Sequence, residues 1–415
     1  MTRSDARQGA TSGMDVSVIL VVMTGAMFFI LAAASAQAQT LTVLYNFPGF
    51  VGDAYEGVTL DQQGRIYGTA AYGGSHDDGI VYRLVHEGEG WIFSPIYTFG
   101  SQENDGQTPF ARVVFGPDGL LYGTTSSGGA ANAGTVFRLQ PPPRACTTAL
   151  CPWIETILYS FTGGADGEYP QFGDLVFDHA GNIYGTTLKG GNPGAGVVFK
   201  LTRSGSGWTE SVLWNFTGTD DGAFPYGGVI FDNAGNLYGT NFGGADGFGA
   251  VYELSPTQSG WNETTLHAFG AEGNGGGGLI MDAQGNLFGI TGGFESGLYG
   301  GAVAAYELAH QNGNWSFILL ENLGGGFPTP IATPTFDSQG NLYGPVPTGG
   351  SLQQGEIFEL MPSGNQWIYS SFFQFDGSDG KWPFGTVTFD SSGNMYGTTI
   401  NGGTTGDGTV WEITP

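Results

Sequence analysis

Residues 231–240 read Phe-Asp-Asn-Ala-Gly-Asn-Leu-Tyr-Gly-Thr. An acid that opens a turn, a glycine free to take positive φ, and a run of strand formers spell a short β-hairpin. The stretch recurs seven times, with its central aromatic at Tyr67, Tyr122, Tyr184, Tyr238, Phe288, Tyr343 and Tyr396. A Gly-Gly pair and then Gly-x-Val-Phe-x-Leu follow each copy closely. The glycines before the strand and after the aromatic occur in all seven copies. The aspartate occurs in six, with Gly116 in its place in the second.

Each repeat holds four strand-like runs, which in the third are 158–161, 174–177, 182–187 and 197–201. A polar Gly/Ser segment ending near Trp208 leads onward, and no capped segment of helical period interrupts the array. Four antiparallel strands repeated seven times at about 50 residues predict an all-β, seven-bladed β-propeller. The array is one strand out of phase with the blades. It opens with 41–47, equivalent to an outer strand, and closes with 410–413. The N-terminal strand is therefore expected to join the last blade and leave the ring no open edge.

Of 415 residues, 76 are Gly and only 12% are charged, a composition of tight turns and short strands. Net charge is −26, which opposes nucleic acid and anionic lipid but suits divalent cations, basic partners or neutral glycans. Arg3 and Arg7, an apolar run from Val16 to Ala34, and Ala36-Gln37-Ala38 predict a cleaved signal peptide over 1–38. A propeller of 39–415 then remains, exported to an extracellular, periplasmic or cell-surface location and expected to be monomeric. An uncleaved anchor is the alternative. Cys146 and Cys151 lie in an insertion of the second repeat and are expected to close a local disulfide.

The core Gly-Asn-Leu-Tyr-Gly-Thr-Thr, followed by Gly-Gly and Gly-x-Val-Phe-x-Leu, resembles the GloVer-type tandem repeat of bacterial exported proteins. The resemblance covers residues 41–415. It implies the propeller-like repeat and assigns no residue a role.

Alternating strand direction puts the loops between blades and the Gly-Gly loops on one face, and the Asp-x-x-Gly hairpins on the other. On the first face Asp105, Asp166, Asp221 and Asp379 each precede a Gly and, three residues further on, a Pro. Phe110, Tyr169, Phe224, Tyr226, Trp382 and Phe384 follow them, and the first Gly-Gly loop adds His76 and Asp77. Carboxylates beside aromatic platforms suit sugars, or Ca²⁺ with several oxygen ligands. The same residues serve equally as turn formers and wedges between blades. No catalytic motif is present, and Ser75-His76-Asp77 is contiguous, so it cannot adopt triad geometry. The expectation is a non-enzymatic binding or scaffold propeller for a glycan, an envelope polymer or a protein. The alternative is an extracellular polysaccharide hydrolase or lyase with its site at the channel mouth.

Overall fold

The computed structural model describes residues 39–49, 51–52, 54–143, 152–244, 247–270, 273–292, 303–324, 332–364 and 366–415. The expected signal segment, Cys146 and Cys151 lie outside these residues.

In every repeat the Asp hairpin folds as its residue types require. The Asp178 carboxylate accepts the N–H groups of Ala180 and Asn182 at 2.9 Å, the Asn182 side-chain amide at 2.7 Å and the Tyr184 hydroxyl at 2.9 Å. Gly181 takes φ 78° in the same turn. One carboxylate thus closes the turn and anchors the ring two strand positions on. The second repeat, which has Gly116 in place of the acid, gives this task to Asp118, whose carboxylate accepts the Tyr122 hydroxyl at 2.9 Å.

The strands assemble into seven four-stranded antiparallel sheets arranged as a seven-bladed β-propeller. Blade 3 is representative: Val176–Phe177 inside, then Ile183–Thr187, Val197–Ser204 and, outermost, Gly207–Asn215. The inner ladder is shorter than the sequence suggests, because its first residues run along the channel without a partner strand. The outer strand is longer. Ser204–Gly207 is a tight turn rather than a link to the next repeat, and Trp208 opens the strand beyond it.

Second strands are buried along their whole length in every blade. They are sandwiched between neighbouring blades, and that is where the core lies. Tyr184 of blade 3 meets Phe231 of blade 4 edge-on at 4.9 Å, and Tyr122 meets Phe177 likewise at 5.1 Å. The threonine of Tyr-Gly-Thr adds a polar staple, since Thr186 donates to the Gly227 carbonyl and Thr240 to the Gly277 carbonyl. The intervening glycine is needed for close approach. A Cβ on Gly185 would lie 2.7 Å from the Phe199 ring, and one on Gly239 would collide with the Tyr252 ring. Gly185→Ala is therefore expected to cost about 1–3 kcal/mol through overpacking. Denaturant titration checks this, and an unchanged midpoint would refute the packing account.

Closure follows the expected phase. Thr40–Asn46 is the outer strand of blade 7, paired with Thr409–Thr414. The Phe47 N–H donates to the Gly408 carbonyl at 3.0 Å, and the Thr404 N–H to Asn46 Oδ1 at 2.8 Å. Tyr45 stacks on Phe93 of blade 1 with ring centres 4.2 Å apart, so the closing strand also seals the first blade.

Candidate binding face and central channel

Loops between blades bring the outer strand of one blade to the inner strand of the next. Their aspartates act within the loops. Asp105 is buried and accepts the Tyr97 hydroxyl and the Ser101 and Gly106 N–H groups at 2.9–3.0 Å. Asp166 accepts the Tyr159 hydroxyl at 2.9 Å and the Thr162 N–H at 2.8 Å. Burial works to raise the Asp166 carboxyl, but the Thr162 and Tyr159 donors outweigh it and hold the group below its ordinary value. Asp221 is buried and accepts the Thr217 N–H and the Trp214 indole N–H, and Asp379 accepts the Asp376 N–H at 2.9 Å. The first three tie their loops to the strand each leaves, through Tyr97, Tyr159 and Trp214, and the last closes its own loop.

The fixed loops present aromatic residues in a costly conformation. Tyr169, Phe224 and Trp382 have φ of 58°, 57° and 58°, each just before a proline. A bulky residue held there costs about 1–3 kcal/mol, which only surrounding structure sustains. Backbone hydrogen bonds supply that structure. The Phe224 N–H donates to the Ala195 carbonyl of the preceding Gly-Gly loop, and its own carbonyl accepts the Phe242 N–H of the next. Tyr169 and Trp382 bridge successive Gly-Gly loops in the same way. The result is a face crested by three separate rings, Tyr169 and Phe224 in neighbouring loops and Trp382 in the loop between blades 6 and 7. Phe224 is 38% exposed, and Tyr169 and Trp382 are half-buried. The Lys381 ammonium lies 4.2 Å from the Trp382 ring centre and that of Lys189 lies 5.5 Å from the Tyr169 centre.

Trp382 also packs with Tyr226 against Phe384 and Ile400, which joins it to a second group of rings. Tyr226 stacks on Phe172 at 5.0 Å and belongs to a chain of rings with Tyr55, Phe110 and Phe384 over the channel mouth. His76 is exposed, its Nδ1 2.9 Å from the Ser75 hydroxyl. Asp77 caps its own loop by accepting the Gly73 N–H at 2.9 Å, as Asn132 accepts the Gly128 N–H in blade 2. Among the described residues no three His, Cys, Asp or Glu side chains converge as a metal site.

Sequence reasoning passed over the channel itself. Below the ring chain lies a cavity of about 610 Å³ lined by inner-strand residues, including Glu56, Arg112 and Asp174. Arg112 donates from Nε to Asp174 Oδ2 at 2.7 Å, places Nη2 at the same distance from that oxygen, and donates from Nη1 to the Thr388 hydroxyl at 3.3 Å. Glu56 is 2% exposed. Burial, then the nearby Asp174 charge, raises its carboxyl well above the ordinary value, against the opposing pull of Arg112. The available signal was positional. Glu56 stands where the other blades have Ala111, Gly173, Gly227, Gly277, Ala332 and Gly385.

Two overlapping stretches, residues 24–153 and 150–303, match the Gloeobacter/Verrucomicrobia repeat. Together they cover more than half of the chain, which belongs to this family of repeat proteins. No curated protein matches. Among solved structures the chain is similar to an ulvan lyase bound to -[GlcA(1-4)Rha3S]-, at 12% identity and TM-score 0.51, over 89% of this chain and 94% of that one. A second polysaccharide lyase matches at 10% identity and TM-score 0.50, over 92% and 93% of the two chains. A putative gluconolactonase matches at 10% identity and TM-score 0.42, over 92% and 94%. For the two lyases, at these identities, the likeness is one of fold alone.

Proposed function

We propose that this is an exported, non-enzymatic propeller that binds an uncharged glycan chain along the crest of Tyr169, Phe224 and Trp382. The observation that carries this reading is the presence of three aromatic rings on one face, each held by a fixed loop and part open to solvent. Thr108 shares their backbone geometry, so the positive φ belongs to the loop, and in these three loops it carries an aromatic ring with surface open to solvent. Pyranose rings have apolar faces that stack on such platforms, with polar groups at the edge fixing orientation. The net charge of −26 disfavours acidic polymers and so favours neutral ones. With the loop carboxylates engaged in their own turns, stacking is the main recognition available on this face. Export rests on the basic, apolar and Ala-x-Ala features of 1–38.

The test is a neutral glycan and envelope-polymer array probed with the wild type and with Phe224→Ala/Trp382→Ala. Loss of two stacking platforms is expected to weaken binding by about 10- to 100-fold, with the melting temperature kept within a few degrees. Absence of binding by the wild type to any array member overturns the reading. Release of shortened or unsaturated products by the wild type would instead assign a polysaccharide hydrolase or lyase.

A further inference from the structure

Blade 4 departs from its neighbours where its third strand faces the end of its outer strand. The facing residues are Ile80 and Thr98 in blade 1, Thr135 and Ser160 in blade 2, Val197 and Asn215 in blade 3, and Glu356 and Gln374 in blade 6. In blade 4 they are Ala250 and Ala268. The longer outer residue elsewhere holds the Gly-Gly loop. Asn215 Oδ1 accepts the Asn192 N–H at 2.9 Å, Gln374 Oε1 that of Ser351 at 3.1 Å and Asn46 Oδ1 that of Thr404 at 2.8 Å. Alanine cannot make that bond, and two methyl groups do not fill the space that Val197 and Asn215 take in blade 3. A cavity of about 270 Å³ lies there instead, with exposed Thr219, Asp220 and Ala268 at its mouth.

This cavity adjoins the most exposed of the three crest rings. The Phe224 ring lies against Gly243, where an added Cβ would stand 3.1 Å from it. Gly243 also lines the cavity, together with Gly222 of the loop that carries Phe224. A sugar stacked on Phe224 therefore has a hollow at its edge. Phe269 and the methyl groups of Ala250 and Ala268 make one wall of it apolar, while Thr219, Asp220 and Thr265 bring hydroxyl and carboxylate oxygens. The hollow beside Thr108 differs, because Asp78, Asn104, Gln107 and Asn132 line it and no apolar side chain does. A hydroxyl substituent would leave the apolar wall of the blade 4 cavity uncovered, and a carboxylate would meet Asp220 with like charge. An acetamido group suits both walls, since its methyl covers the apolar one and its N–H donates to an oxygen of the other.

We infer that this cavity is a specificity pocket that receives the acetamido group of a 2-acetamido sugar whose ring stacks on Phe224. The inference rests on the stacking proposed for Phe224 and narrows its ligand to neutral polymers of N-acetylated hexosamine. Thr219, Asp220 and Thr265 read the amide, and the small side chains of Ala250 and Ala268 make room for the methyl group.

The test uses the whole chain and three β-1,4-linked trisaccharides that differ only at C2. Cellotriose has a hydroxyl there, triacetylchitotriose an acetamido group, and its deacetylated form an ammonium. Calorimetric titration is expected to show the acetylated sugar binding at least about 10-fold more tightly than cellotriose. Ala268→Asn and Ala250→Val install the residues that blade 3 carries at these positions, so each should melt within a few degrees of the wild type. Each should also bring the ratio of the two affinities close to one, whereas Phe224→Ala should weaken both neutral sugars together. Equal binding of the neutral sugars by the wild type, a preference for the ammonium form, or a ratio that neither filled variant lowers overturns the pocket and leaves the stacking face standing. Binding that Phe224→Ala leaves intact while Ala268→Asn abolishes the preference keeps the pocket and overturns the platform. Absence of binding by all three sugars overturns both.

Discussion

A chain lacking residues 40–47 is expected to lose cooperative folding and to associate through the exposed edge of Thr409–Thr414. Among the described residues the strand 40–46 alone pairs with that edge of blade 7, and an uncovered edge is a template for pairing with another chain. The deletion also removes Phe47, which is fully buried, and Leu44, which is nearly so. Each such side chain contributes about 1.5–3 kcal/mol by burial alone. Together with the lost ladder, this is a large fraction of the roughly 5–15 kcal/mol that separates folded from unfolded domains. Circular dichroism melts and size-exclusion chromatography test the expectation. A synthetic peptide of residues 40–47 added in trans should restore a monomeric peak and a sharp transition. A truncated chain that stays monomeric with the wild-type melting temperature would show that the ring does not depend on this strand.

Stability should fall as pH rises from about 5 to about 8.5, contrary to what would be expected of a protein whose acids are held mainly in ion pairs. Burial, then the nearby Asp105 charge, raises the Glu155 carboxyl from 4.5 to about 8. Burial and Asp166 raise Glu210 from 4.5 to about 7. A group whose folded value is raised keeps its proton in the native state after the unfolded chain has lost it. Its contribution is complete below about 4.5 and is lost as pH climbs through the folded value. Glu56 acts in the same direction. Asp166 and Asp178, held below their ordinary values, act oppositely, and their contribution is lost only as pH falls below about 3.8. Glu155→Gln/Glu210→Gln should therefore melt higher than the wild type at about pH 8.5 and close to it at about pH 5. Parallel pH profiles for the two proteins would refute the assignment.

The architecture was legible because a seven-fold repeat states the same local chemistry seven times. Tyr184, Gly185 and Asp178 each have one packing or turn role, and the repetition reveals it. The phase of 41–47 against the blades was legible for the same reason, since that strand matches every other outer strand. The inter-blade aspartates were not, because a carboxylate that caps a loop and one that holds a ligand are the same residue in the same turn. Only the donors around Asp105 and Asp221 disclose what those oxygens do. Likewise, Asp-Gly-x-Phe-Pro does not announce that Phe224 sits at positive φ. Glu56, Arg112 and Asp174 were invisible because they lie in three different repeats and meet only when blades 1, 2 and 3 pack side by side. Comparing the repeats for departures rather than for agreement would have singled them out.

Pairing of 40–46 with 409–414 also sets an order in time. The first strand of the propeller to leave the ribosome is matched by the last, so no blade-by-blade process can finish the molecule early. Until residue 414 is available, the first strand has no partner and the seventh blade no outer edge. The ring therefore cannot lock while its last strand is still being made.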